Sequence, residues 1–217
     1  MRIVLISICL CYGVLASSQS SGVLPSATFA FKMDEGRKLI SKIEQRTNLN
    51  EDAALLSHEL VDFAFFVSKQ VGVNKVWNTG VQLRTIDEVL IPRFIQQLVI
   101  KETYFGWSCS HRFVWDLTRD ADSIYSNRVR YRFAGLVPLE GEKVDLFEWY
   151  AKGSIEVLNR LKASELSLEH RYSLLGGMKL SSSFRVEIGP EWRSKYDISE
   201  SATSNKFWIR LNFYKTF

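Results

Sequence analysis

Three histidines, His58, His111 and His170, are the residues best suited to acid–base or nucleophilic chemistry. His111 has Ser108 and Ser110 nearby, and His170 is followed by Ser173. A Ser–His pair needs its side chains within hydrogen-bond reach and a third group to orient the ring. On a strand, residues an odd number of positions apart project from opposite faces. Both pairs therefore point apart, and neither marks a hydrolase; no catalytic residue is expected. Cysteine and histidine are too scattered for a zinc-ligand pattern, so no metal site is expected. Gly176-Gly177 is followed by no phosphate-binding lysine motif. Its expected role is to relieve crowding or bend a strand, and no cofactor is expected.

Charge spacing is more informative. Arg128, Arg130 and Arg132 recur at every second position, with Val129, Tyr131 and Phe133 between them. That period of two puts the arginines on one face of a strand. The same alternation runs through Lys206 to Phe217, where Phe207, Ile209, Leu211 and Phe213 oppose Trp208, Arg210, Asn212 and Tyr214. Trp107 to Leu117 and Ser183 to Arg193 repeat it, and weaker runs occur at 27–34, 37–47, 75–84, 92–104, 145–158 and 166–180. The segment 51–67 carries two periods. Ala53, Leu56, Leu60 and Phe63 fit a helix, whereas Val61, Phe63, Phe65 and Val67 fit a strand, and the strand agrees with its neighbours.

The runs are 9–13 residues long, the length of a tilted strand crossing a bilayer. Lipid offers the backbone no hydrogen bonds, so only helices and closed barrels span it. The chain has 217 residues, 46% hydrophobic and 24% charged, with mean hydropathy −0.07. Beyond residue 20 nothing is apolar for the ~18 residues a spanning helix needs. A helical membrane protein is excluded, and so is a disordered chain, since 13% of residues are aromatic. A barrel with alternating strands is not.

In such a barrel the charged set faces the lumen. The expected lumen residues are Lys42, Glu44, Arg46, Arg112, Arg128, Arg130, Arg132, Glu148, Lys152, Glu156, Glu169, Arg171, Arg185, Glu187 and Glu191. Acidic and basic members pair across strands. Eleven runs imply 10–12 strands, with an even number the usual count. Links near 34–37, 71–74, 105–106 and 180–182 read as short turns. Those near 49–57, 84–91, 118–127 and 197–205 read as longer loops at the other end. Six tryptophans fit interfacial girdles. The opposing expectation is a secreted soluble sandwich or lipocalin-like barrel, with the apolar face inward and the charged face outward.

Residues 1–18 read as a signal peptide: Arg2, an apolar stretch Ile3 to Ala16, then small residues suiting cleavage before Ser17 or Gln19. The remaining 19–217 form one domain. That part has 199 residues, 27 Lys+Arg against 24 Asp+Glu, and one cysteine, Cys109. An internal disulfide is impossible there, and so small a net charge gives no case for nucleic acid.

Several motifs in order carry a resemblance: Lys42-Ile-Glu-Gln-Arg46, Pro92-Arg-Phe-Ile-Gln-Gln97, Ser110-His-Arg-Phe113 and Asn127-Arg-Val-Arg-Tyr-Arg-Phe133 with Leu136-Val-Pro-Leu139. They continue with Glu156-Val-Leu-Asn159 and Glu169-His-Arg-Tyr172. The chain resembles, over about 37–217, the bacterial outer-membrane family known as domain-of-unknown-function family 2490, best represented in Bacteroidetes-type bacteria. The resemblance implies an antiparallel outer-membrane barrel and supplies no catalytic residues. The expected partners are outer-membrane lipid and the barrel-assembly machinery, which would read the last strand at Phe217. The expected role is structural or binding, with a narrow pore and a rim-located lipid hydrolase as alternatives.

Overall fold

The computed structural model describes residues 20–49, 56–120, 124–163, 165–199 and 201–217. The signal-peptide expectation lies outside the described residues, as does the 51–55 part of the helix-like segment. Eleven strands follow one another: β1 (Ser20–Lys32), β2 (Arg37–Leu49), β3 (Leu56–Gln70), β4 (Lys75–Ile86), β5 (Val89–Tyr104), β6 (Trp107–Arg119), β7 (Tyr125–Pro138), β8 (Trp149–Lys162), β9 (Glu165–Ser181), β10 (Phe184–Asp197) and β11 (Ala202–Thr216). Among the described residues no helix is long and apolar enough to cross a membrane. The segment with two periods resolves as strand from Leu56 onward. In the 150–165 segment, Ile155, Leu158 and Leu161 also fit a helical spacing, and the structure has strand β8 there as far as Lys162.

The sheet closes into a barrel in sequence order, β11 returning to β1. Ten neighbouring pairs are antiparallel, and the closing pair β1–β11 is parallel, with Ser20 opposite Lys206 and Ala30 opposite Thr216. The expectation of an even number is corrected here. With eleven up-and-down strands the first and last run the same way, so closure requires one parallel seam. Parallel ladders are slightly weaker per residue.

Prolines mark where ladders open. β1 pairs with β2 at Val23–Thr47 and again at Ser26–Glu44, leaving a gap around Pro25. β9 and β10 likewise skip from Ile188–Gly176 to Glu191–Ser173 around Pro190. A proline has no N–H to give a ladder.

The links depart from the expected long–short asymmetry. The 84–91 link is a two-residue turn, Asp87-Glu88, with φ of 46° and 67°. Positive φ at both positions is the tight hairpin geometry that follows the twist of the strands. The longest link, 139–148, sits at the end assigned short turns.

Sidedness is uniform around the wall. Alternate residues such as Phe63 (42% exposed), Phe65, Val81, Phe113, Val129, Ile155, Leu174 and Ile188 face outward and stay exposed. The inward positions between them hold Asp62, Arg93, Asp116, Glu156, Glu187, Glu191, Arg193 and Arg210, all buried. The lipocalin-like alternative has the opposite sidedness. A few apolar side chains also face inward, among them Leu24, Ile95, Val114 and Leu158. Trp208 joins them at 1% exposed, so it belongs to the interior and not to a girdle. Its ring lies where a Cβ on Gly22 would stand, 2.7 Å from Cζ3. Trp77, Trp107 and Trp149 remain on the outside at or near strand ends, all at the barrel end where Phe217 lies.

Candidate functional site: the charged lumen

Cross-strand register assembles the interior in clusters around single carboxylates. Asp116 on β6 is fully buried; Arg128 Nε on β7 donates to it at 2.6 Å, and Arg130 and Arg93 approach to 3.0 and 3.5 Å. Asp116 faces Arg128 directly in the β6–β7 ladder. Glu156 on β8 is 1% exposed and receives Arg112 at 2.7 Å, Arg132 at 2.9 Å and Arg171 at 3.1 Å. Arg132 and Arg171 are its partners in the two flanking ladders.

Five further acids repeat the arrangement. Arg84 binds Asp62 through two parallel N–H···O bonds of 2.7 Å, the fork geometry that makes arginine–carboxylate pairs strong. Glu191 receives Arg193 and Arg210. Glu187 receives Lys152 at 2.9 Å and the hydroxyls of Tyr150 and Tyr214 at 3.0 Å each. Glu169 receives Arg171 at 2.6 Å, and Glu44 receives Lys42 at 2.6 Å.

Between the clusters, like charges meet. Arg112 faces Arg132, Arg128 faces Arg160, and Arg171 faces Arg193 directly across their ladders. Facing like charges destabilise a sheet unless something neutralises them. Glu156 does so for the first pair, and Glu169 and Glu191 each hold one arginine of the third.

Of the lumen residues expected from sequence, the structure joins Arg112, Arg128, Arg130, Arg132, Glu156, Glu169, Arg171 and Glu187 in this network. Lys42, Glu44, Arg46, Lys152 and Glu191 belong to it as well. Glu148 does not: it precedes β8, in the long 139–148 link, and accepts a bond from the Asp145 backbone N–H. Arg185 lies on the lumen side but is exposed at the mouth, 5.9 Å from the Tyr214 ring centroid.

Sequence reasoning left Asp62, Arg84, Arg93, Asp116, Arg193 and Arg210 off its list. Each occupies an inward position of its strand, so carrying the alternation through every run would have found them.

The serine–histidine pairs lie as the strand geometry requires. Ser173 Oγ is in the lumen, 2.7 Å from Ser154 Oγ, while His170 stacks near Tyr172 on the outside. His111 is also outside, its Nδ1 2.9 Å from the Tyr131 hydroxyl. One outer cluster was not legible from spacing. Glu102, Cys109 and His111 have potential metal-ligand atoms within 4.8 Å of one another, because Glu102 faces Cys109 across the β5–β6 ladder. Tyr104 OH donates to Glu102 Oε2 at 2.7 Å.

Gly177 has the expected crowding role. A Cβ there would stand 2.3 Å from Tyr150 Cζ, and its absence admits the ring that reaches Glu187. A Cβ on Gly176, on the other side of the strand, would meet only the Ile188 backbone oxygen at an ordinary 3.9 Å.

The fold and interior together define an all-β closed barrel turned inside out relative to a soluble one, apolar without and ionic within. The chain belongs to the family described as protein of unknown function, DUF2490, whose model matches residues 24–205. No curated protein and no solved structure matches it.

Proposed function

We propose that the chain is an outer-membrane β-barrel of the bacterial envelope, exported by way of residues 1–18 and serving a structural or binding role, with ion-paired side chains filling its lumen. The observation that carries this reading is the sidedness of the wall. An exposed apolar surface encircling a monomer is far larger than water tolerates, and it matches what lipid requires.

Strand length supports it. A 14-residue strand such as β7 rises about 3.3 Å per residue and tilts about 40°, covering roughly 35 Å along the axis. A hydrocarbon layer is about 25–30 Å thick, which leaves the strand ends for the interfaces. Trp77, Trp107 and Trp149 stand there, with Tyr104 stacked on Trp107 at 4.5 Å. The outer lipid and the assembly machinery that inserts such barrels are the partners this reading requires.

Cell fractionation and a heat-modifiability gel test it. The protein is expected in the outer-membrane fraction, migrating faster unboiled than boiled. Recovery in the soluble fraction with no mobility shift overturns the reading. A second reading, a narrow pore, draws on the cavities of about 290, 110 and 200 Å³ that share lining residues along the lumen. Discrete conductance steps in planar bilayers would favour the pore, and silence would favour the filled barrel.

A further inference from the structure

Charge in the lumen is unbalanced. Eleven basic and three acidic side chains line the central cavity of about 110 Å³. Counting also Asp116, Glu156 and Glu169, which those same arginines engage, leaves five positive charges in excess. Next to it lies a cavity of about 290 Å³, toward the mouth where Asp197 and Ala202 stand, with eight basic and two acidic side chains; of these, Lys206 pairs with Glu59, and Lys195 pairs with Asp197, each at 3.2 Å. Arg46, Arg84, Arg128, Arg171 and Arg193 line both. The two spaces form one basic funnel.

An interior held only by ion pairs has no use for this surplus, because every unmatched buried charge opposes folding. The surplus is also poorly satisfied. Arg46 Nε and Arg128 Nη2, on residues lining both cavities, are buried without a hydrogen-bond partner, and so is Arg130 Nε in the central one. Arg160 faces Arg128 across the ladder with no carboxylate in ion-pair reach among the described residues. Free guanidinium N–H groups in a fixed fork match the oxygens of a phosphate. The larger cavity is at the lower end of the size of small-ligand sites, about 300 Å³.

We propose that this half of the lumen, between Arg128 and Lys195, is a binding site for a multiply charged oxyanion of the phosphate class. The proposal deepens the binding role given above, yet it rests on lumen charge alone and not on where the barrel resides. The anion's oxygens accept from the unpartnered N–H groups of Arg46, Arg128 and Arg130, and Arg160 and Lys195 complete the outer rim.

The test is titration calorimetry on the full mature chain folded in detergent micelles, its fold checked by heat-modifiable mobility. The probes are sodium pyrophosphate and a short-chain phosphatidic acid, against sodium chloride at matched ionic strength. Saturable binding of either phosphate probe is expected, and which one binds separates a soluble anion from a lipid headgroup. The double variant Arg160→Gln/Lys195→Gln is expected to weaken that binding about tenfold or more. Lys101→Gln, at the opposite mouth, is expected to leave it unchanged. Heats equal to those of chloride, or equal losses in both variants, overturn the proposal. A soluble, lipid-free barrel that still binds pyrophosphate would sink the membrane reading and leave this one standing.

Discussion

At the residue scale, stability depends on a few carboxylates that each restrain several guanidinium groups. Glu156 restrains three. Removing one member of a buried ionic cluster strands the others and costs about 3–5 kcal/mol. Glu156→Gln is therefore expected to lower the urea midpoint of the folded barrel by a matching amount, followed by tryptophan fluorescence. Glu148→Gln, in the external link, is expected to change it by no more than about 0.5 kcal/mol. Equal effects of the two substitutions would contradict the placement of these carboxylates. Gly177→Ala forces the Tyr150 ring away from Glu187, and overpacking of this kind costs about 1–3 kcal/mol.

At the element scale, the decisive property is which face of a strand meets which medium. Phe63 lies on the outer face, between Ile43 on β2 and Leu83 on β4. Phe63→Arg is expected to cost about 2–4 kcal/mol for a barrel folded in lipid vesicles. A near-neutral result there would argue against a lipid-facing wall. The parallel seam has its own test. Ala27 and Phe213 are paired residues across it, and neighbouring strands lie about 4.8 Å apart, within disulfide reach. Ala27→Cys with Phe213→Cys, in a Cys109→Ser background, is expected to cross-link on oxidation and hold the barrel in its fast-migrating form. Absence of the cross-link would contradict the β1–β11 pairing.

Strands were the legible part of this fold. A period of two is imposed by the pleat itself, so Arg128-Val-Arg-Tyr-Arg-Phe133 announces its faces without any tertiary knowledge. The seam was illegible because pairing partners far apart leave no mark on either strand. Asp87-Glu88 was misread as part of a long loop because its tight turn uses positive φ at residues that carry no glycine signal. For the site, the alternation puts Glu156 and Arg171 on the inward face, and the structure has them 3.1 Å apart there. It failed for Glu148, which keeps the alternation one residue beyond the point where the strand starts. The cluster of Glu102, Cys109 and His111 depends on register, which composition does not encode.

At the scale of the whole molecule, the interior differs from a simple packed ionic core by its surplus of arginine. An ordered interior of this kind keeps the wall round and leaves little free cross-section. The larger cavity lies toward the mouth near Ala202. Anions are expected to approach from that side, a polarity that reconstitution with a known orientation and one-sided addition of pyrophosphate would reveal.

The single parallel seam has a geographic consequence. Because β1 and β11 run in the same direction, Ser20 and Phe217 emerge from opposite mouths. A barrel with an even strand count returns both ends of its chain to one compartment. If a membrane surrounds this wall, it separates them, so an epitope joined ahead of Ser20 and one joined after Phe217 would be seen by antibodies from different sides. Each cell would display one end of the polypeptide and conceal the other.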